Sequence, residues 1–340
     1  MILVECRLPA AGDQHSTKIT RGWAEQYGRG VPDIVLLPWA DPLGGATDGL
    51  DVAVWGEDEL PPTADVLADV VLYVPAYQGG RAALEAVHRM PRLTTVQCLW
   101  AGVDGFWPYV PDGVALHNAA GVHDTSTAEL ALALMLARLR RLDDVARQPG
   151  TWIHEFTPSL ADRRVLVIGY GNIGRAIDRR LAGFEVDVVR VARTARDTAG
   201  PHGGTVHVHG QDELPALLPD ADVVVLIAPL TDETRGLVDG AFLARMKDGA
   251  LLVNVARGAL VDTAALTAEV HTGRLQAALD VTDPEPLPPD HPLWSLPGVL
   301  ISPHTGGLSS AFLPRAQALV ADQLRRWRAG EPLLHRVPRP

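Results

Sequence analysis

The chain has 340 residues, of which 47% are hydrophobic and 21% charged, and its formal net charge is −11. That length suits about two domains, and an acidic chain without a basic tract argues against a direct nucleic-acid surface. The longest apolar run, Leu130–Ala137, is too short to cross a bilayer, Met1–Pro9 has no long apolar core of a signal peptide, and Cys6 and Cys98 form no zinc or redox spacing. A cytoplasmic protein with no nucleic-acid or membrane partner is expected.

In chain order, Ile2–Cys6, the VLLPW run within Val31–Trp39, Val52–Trp55 and Val70–Val74 read as strands. The loop Pro75–Gly80 follows, then a helix over Arg81–Arg89 that Pro91 stops, then a strand over Thr94–Leu99. Short strands alternating with helical segments indicate a parallel α/β sheet. Such sheets bind ligands beyond the carboxyl ends of their strands. The segments Tyr77–Gly80 and Trp100–Gly102 are therefore the candidate pocket walls of this unit.

Asp124–Arg141 reads as a long helix. Asp124, Thr125 or Ser126 can cap it, and Glu129 stands three residues after Ser126, as in a capping box. Its centre, LALALMLA, is apolar nearly all round, which predicts burial between domains or in a dimer interface. Gln148–Ser159, with Pro149, Gly150 and Pro158, reads as a connecting arm.

The most informative stretch is Val165–Ile177, VLVIGYGNIGRAI. An apolar run that suits a strand buried on both faces leads straight into Gly169, Gly171 and Gly174, and a helical pattern follows. In that setting G-x-G-x-x-G signals a dinucleotide site. Gly169 permits the tight turn, Gly171 leaves room for a pyrophosphate, and Gly174 lets helix and strand pack closely. The free N–H groups near Gly171, Asn172 and Ile173 point at the phosphates. Further strands are expected at Glu185–Val191, Val206–His209, Val223–Ile227, Leu251–Val255, Gln276–Leu279 and Val299–Ser302. Helices are expected at Glu213–Leu218, Gly240–Met246 and Thr263–Thr272. The series suffices for a six-stranded doubly wound sheet. The C-terminal helix, Leu313–Arg328, is expected to return to the first domain.

Dinucleotide domains usually carry an acid about twenty residues past the glycines, bonded to the ribose. Here Ala192 occupies that place, Asp187 comes too early and Asp197 too late. Arg193, Thr194 and Arg196 instead offer cations and a hydroxyl where a 2′-phosphate would lie. NADP is favoured, with NAD possible. Three later segments each place a charged or titrating group just past a strand: Leu251–Asp262 with Arg257, Ala278–Trp294 with Asp280 and Glu285, and Ile301–Gly307 with His304.

The motifs AGVD, TSTAELALALML, VIGYGNIG, APLTDETRGLV, VNVARGALVD, DVTDPEPLPPDHPLW and SPHTGG stand in one order from about Thr94 to Gly307. On these the chain resembles the D-isomer-specific 2-hydroxyacid dehydrogenase family, most closely its glyoxylate and hydroxypyruvate reductases. The resemblance implies an α/β protein of two domains, a Rossmann doubly wound parallel sheet and a smaller flavodoxin-like α/β substrate domain. Residues 1–120 plus 306–340 would form the substrate domain and residues 121–305 the dinucleotide domain, with a cleft between them. A homodimer is the implied assembly, and a small 2-oxo or 2-hydroxy acid the implied substrate. Arg257 would grip the substrate carboxylate, His304 would be the general acid in reduction, and Glu285 would pair with it and raise its pKa. Asp280 would orient the nicotinamide amide. Ala228, Pro229, Val255 and Ala256 would lie along the cofactor, with Thr127 approaching the nicotinamide. Ala101 and Gly102 would bind the carboxylate through backbone N–H groups, with Tyr77 and Trp100 shaping the pocket.

Three departures stand out. Trp100 precedes AGVD where a smaller residue is usual, the arm is short, and Arg193 and Arg196 replace a common aspartate. His207 and His209 share one side of a strand at a spacing that could hold a metal, but no carboxylate or cysteine partner is evident and the resemblance implies no metal. Phosphite oxidation, and a dinucleotide-sensing scaffold like the corepressor relatives, are the alternative functions. Formate-oxidising relatives carry Gln where Glu285 stands.

Overall fold

Two parallel sheets, each built from short apolar runs, account for most of the strands. In the computed structural model residues 32–39, 43–146, 150, 152 and 154–339 are described; the strand expected at Ile2–Cys6 lies outside them. The first sheet holds β1 (Ile34–Leu37), β2 (Asp51–Val54), β3 (Val70–Tyr73), β4 (Thr95–Gln97) and β5 (Ala115–His117), in the order β2-β1-β3-β4-β5. β1 and β3, reading IVLL and VVLY, are buried at every position. That follows from covering both faces, which a parallel sheet requires. One face meets Leu67 of a short helix α1 (Ala64–Ala68) and Ala83 follows in α2 (Gly80–Glu85), with Ala86, Val87 and Met90 just beyond in the same core. The other face packs against Ala316, Val320 and Leu324 of the C-terminal helix.

The second sheet has the order β13-β12-β11-β10-β6-β7, all parallel. Its strands are β6 (Arg164–Ile168), β7 (Asp187–Val191), β10 (Val223–Leu226), β11 (Leu251–Asn254), β12 (Gln276–Leu279) and β13 (Val299–Ile301). The α/β architecture read from the sequence is therefore the observed one, with a doubly wound six-stranded sheet. One face is covered by α3 (Asp124–Leu139) and α5 (Asn172–Leu181). α4 (Leu142–Ala146) follows α3, whose Arg138 is buried and pairs with Asp143 and Asp144. The other face is covered by α6 (Leu214–Leu217), α7 (Gly240–Arg245) and α8 (Thr263–His271). Asp239 and Asp262 cap α7 and α8 by accepting the N–H groups of Phe242 and Ala265. The last helix, α9 (Phe312–Ala329), ends at Gly330 with φ +69°, a left-handed stop. Among the described residues no helix is long and apolar enough to cross a membrane.

Several expectations are corrected. The capping box at Ser126 does not form, because α3 begins at Asp124 and Ser126 already lies inside it, its hydroxyl donating to the His123 carbonyl. Glu129 instead faces Arg180. The burial of the apolar helix comes from the second sheet, in whose core Ala128, Ala131 and Met135 lie. β5 was not foreseen, three residues being too few to show a period. Nor was β8 (Arg196–Ala199), whose RDTA reads as a polar loop. β8 pairs antiparallel with β9 (Thr205–Val208), so the expected strand at 206–209 forms a hairpin and touches the main sheet only through the bridge from His209 to Val191. The hairpin and the turn after it supply what His207 and His209 lacked in the sequence: Asp197 accepts from His207 and Glu213 pairs with His209, each at 2.8 Å.

Candidate active site

The turn after β6 is set by glycine. Gly169 has φ +106°, and a Cβ there would lie 2.4 Å from the Ala228 backbone nitrogen. A Cβ at Gly174 would lie 2.1 Å from the Gly169 carbonyl oxygen, so helix α5 starts against the strand end. Gly171, at the N-cap of α5, faces open space, with nothing within 4 Å of a built Cβ. The first N–H groups of α5, from Asn172 and Ile173 onward, have no intrahelical acceptor. An empty approach above free amides at a helix start is the fit a pyrophosphate needs.

Beside this turn a cavity of about 680 Å³ runs over the ends of β6, β7 and β10 and is lined by Gly169, Arg193, Thr194, Arg196, Ala228 and Pro229. Ala192 follows β7, where a carboxylate is usual, and among the described residues the cavity's carboxylate is Glu233, from beyond β10. Arg196 donates to the carbonyls of Thr194 at 3.2 Å and Tyr170 at 3.3 Å, which holds its guanidinium across the mouth. Thr231, its own backbone and the nearby Arg193 charge hold the Glu233 carboxyl below its ordinary range.

A second cavity of about 410 Å³ lies between the two sheets. Tyr77, Trp100, Ala101 and Gly102 reach it from the first sheet, and Val255, Ala256, Arg257, Asp280 and His304 from the second. Thr127 at the start of α3 also lines it, as do Gly171, Asn172, Ile173 and Gly174. Glu285 stands behind His304. The sequence-derived residues thus converge on two adjoining cavities that share Gly171, Ala228 and Pro229.

Arg257 follows β11 directly. Buried Asn254 shapes its turn, accepting from Ala256 N–H at 3.1 Å and donating to the Arg257 carbonyl at 2.9 Å. The guanidinium crosses the cleft to the first sheet, where a Cβ at residue 102 would come within 1.7 Å of Nη2. Only glycine admits that approach. Nε pairs with Asp104 at 3.3 Å and Nη1 donates to the Ala256 carbonyl at 2.7 Å.

His304 sits past β13 with φ +54°, a left-handed conformation unusual for a side chain with a Cβ. The backbone of Asp280 holds it there, its carbonyl accepting the His304 N–H at 2.8 Å. The buried Asp280 carboxylate accepts N–H groups from Thr305 at 2.8 Å and Gly306 at 2.9 Å. The Thr127 hydroxyl donates to the Gly306 carbonyl at 3.3 Å. Asp280 thus anchors the histidine loop, a task the sequence did not suggest. Nδ1 of His304 donates to Glu285 Oε1 at 2.6 Å, which leaves Nε2 for the cavity. The hydrogen bond to Glu285 raises the His304 pKa against the opposing effect of burial, and the same bond lowers that of Glu285.

Three residues were missed. Asp104 lies within the AGVD motif, so its charge beside a pocket glycine was the available signal. His123 and Phe312 complete an aromatic wall: Tyr77 lies 4.3 Å from Phe312, 5.2 Å from Trp100 and 5.4 Å from His123, centroid to centroid. His123 donates Nε2–H to the Leu99 carbonyl at 2.7 Å, and burial lowers its pKa, so it is a neutral wall residue. Nothing in the sequence brings Phe312 of α9 to Tyr77.

A glycine-turn dinucleotide site beside a cleft holding a guanidinium and a paired imidazole defines a nicotinamide-dependent oxidoreductase. Residues 130–306 match the family described as D-isomer specific 2-hydroxyacid dehydrogenase, NAD binding domain. The chain is 31% identical over 303 residues to a glyoxylate reductase of Korarchaeum cryptofilum, covering 85% of this chain and 90% of that one. A D-isomer specific 2-hydroxyacid dehydrogenase of Xanthobacter autotrophicus, solved with NADPH and MES, superposes with a TM-score of 0.71 at 30% identity, covering 91% of this chain and 98% of that one. An NADPH-dependent glyoxylate/hydroxypyruvate reductase of Sinorhizobium meliloti, solved with NADP and sulfate, gives 0.76 at 26% identity, with 90% and 98% covered. The chain belongs to the D-isomer specific 2-hydroxyacid dehydrogenase family. It is an NAD(P)-dependent oxidoreductase acting on the CH–OH group of its donors.

Proposed function

We propose that the chain is an NADP-preferring reductase of small 2-oxo acids such as glyoxylate or hydroxypyruvate, giving the D-2-hydroxy acid. The observation that carries the reaction is the Glu285–His304 pair at 2.6 Å beside Arg257 in one cleft. Bound dinucleotide supplies the hydride. Arg257 binds the substrate carboxylate through Nη2 and polarises the ketone, with the backbone N–H groups of Ala101 and Gly102 as further donors. The His304 imidazolium gives its Nε2 proton to the carbonyl oxygen as the carbon is reduced, and the neutral imidazole recovers a proton from solvent. Glu285 favours the charged imidazole and fixes its tautomer. Asp280 positions the loop, and its remaining lone pairs would orient the nicotinamide amide, with Thr127 nearby.

Arg193, Thr194 and Arg196 support NADP, since they line a cavity in which the usual ribose acid is Ala192. The division into residues 1–120 plus 306–340 and 121–305 is part of this proposal, and α9 on the first sheet supports it. So are a cytoplasmic location and a homodimer, the latter supported by the exposed apolar side chains of Leu142, Val145, Trp152 and Phe156. Absorbance of reduced nicotinamide, followed with glyoxylate, hydroxypyruvate, pyruvate and phenylpyruvate and with NADPH or NADH, tests the reading. Turnover preferring NADPH supports both parts, and turnover preferring NADH overturns the cofactor assignment alone. Tight dinucleotide binding with no turnover of any 2-oxo acid overturns the reductase.

A further inference from the structure

The hairpin β8–β9 gathers titratable side chains that the proposed reaction does not use. Alternation along β9 and the residue after it puts His207 and His209 on one side, and their rings meet edge to face with centroids 4.6 Å apart. Asp197 stands directly opposite His207 in the antiparallel register, its Oδ1 accepting from Nδ1 at 2.8 Å. Glu213 rises from the turn that follows, with Oε2 2.8 Å from His209 Nδ1. Its other oxygen, Oε1, accepts the Gly210 N–H at 2.8 Å. One donor atom from each of His207, His209 and Glu213 lies within 4.8 Å of the other two, and no other such group occurs among the described residues.

We propose that His207, His209 and Glu213 bind a divalent transition cation of the zinc type, with Asp197 orienting His207. Bonds of about 2.0–2.2 Å to nitrogen and oxygen set tetrahedral ligands roughly 3.3–3.5 Å apart, so modest side-chain rotation closes the site. His207 and Asp197 are both exposed, so the pair can shift together without disturbing the core. The bond from His207 Nδ1 to Asp197 leaves Nε2 as the bare lone pair, the carboxylate–imidazole arrangement that raises ligand basicity. The Gly210 N–H anchors Oε1 of Glu213, and the cation takes the place of the proton that lies between Oε2 and His209 Nδ1, that proton passing to solvent. Two imidazoles and a carboxylate favour zinc, cobalt, nickel or copper over magnesium or calcium, and water completes the shell. The site is mechanically joined to the cofactor pocket. The His209 carbonyl accepts the Ala192 N–H at 3.0 Å, and β8 begins at Arg196. A bound cation ties β9 to the turn before α6 and so steadies the segment that carries Arg193 and Arg196.

The test is a calorimetric titration of zinc chloride into full-length chain stripped with chelator, with H207A/H209A as the reference for the other histidines. The expected result is one equivalent more in the native chain, bound at least tenfold more tightly than anything in the reference. Glu213→Gln keeps both imidazoles and is expected to weaken that equivalent about tenfold. Cobalt(II) absorption supplies a second readout, a tetrahedral visible band in the native chain whose position and intensity Glu213→Gln changes. Identical titrations of native and H207A/H209A chains, or a cobalt band unchanged in Glu213→Gln, would overturn the site.

Discussion

The two walls of the cleft are built on different principles. The second-sheet wall is polar and tightly bonded: Asn254 fixes the turn before Arg257, and Asp280 holds the His304 loop by three backbone N–H groups. The first-sheet wall is aromatic, made of Tyr77, Trp100, His123 and Phe312 packed ring to ring, some stacked and some tilted. Hydrogen bonds are directional and place atoms for chemistry. Ring packing tolerates exchange of shape and so sets which side chain of a substrate fits. One wall is suited to the reaction that a family shares, the other to the substrate that distinguishes its members.

Variants can separate the walls. The largest effect is expected from His304→Ala, a loss of about a thousandfold in kcat for reduction, combining a lost general acid with lost positioning. Steady-state rates with saturating cofactor check it, and near-native turnover would remove His304 from the mechanism. Next comes Gly102→Ala, since its Cβ would fall 1.7 Å from Arg257 Nη2. Displacing that guanidinium is expected to lower kcat/KM by about a hundredfold while leaving dinucleotide affinity, measured by fluorescence, in place. Arg193→Ser with Arg196→Ser should raise KM for NADPH by roughly tenfold or more and leave that for NADH nearly unchanged. An equal change for both cofactors would mean that the arginines do not read the 2′-phosphate.

The smallest expected effect is a displacement of the pH profile. His304 has its pKa raised by Glu285, so the acid form persists above the ordinary imidazole range, and reduction fails only as pH rises through the raised value. Glu285→Gln removes that support, and the alkaline limb of the kcat/KM profile should move to lower pH. An unmoved limb would show that the pair seen here does not govern the acid.

The two walls also differed in how far they could be read from residues alone. The glycine turn, Arg257, Glu285 and His304 were legible because each lies next to a buried strand or in a motif, and local patterns report strand ends. The strands of the second sheet were placed for the same reason: runs such as Val223–Leu226 are apolar at every position because both faces are covered. The aromatic wall was half legible. Tyr77 and Trp100 follow strands, whereas Phe312 arrives from α9 through tertiary packing that no local pattern encodes. The capping box failed on register, since the cap lies at His123, three residues before Ser126, which puts Ser126 in the interior. The partner of His207 was hidden by the same cause as β8, a polar strand whose pairing brings Asp197 across, whereas Glu213 reaches His209 from the turn four residues on.

At residue 304 the main chain and the reaction ask for different amino acids. A left-handed φ of +54° is the conformation in which glycine rests without penalty, and an imidazole there costs on the order of 1 kcal/mol or more. The position is thus one where selection for foldability alone would discard the histidine. Retaining it leaves the fold slightly below the stability open to it, a cost that the proposed part of His304 in turnover would offset.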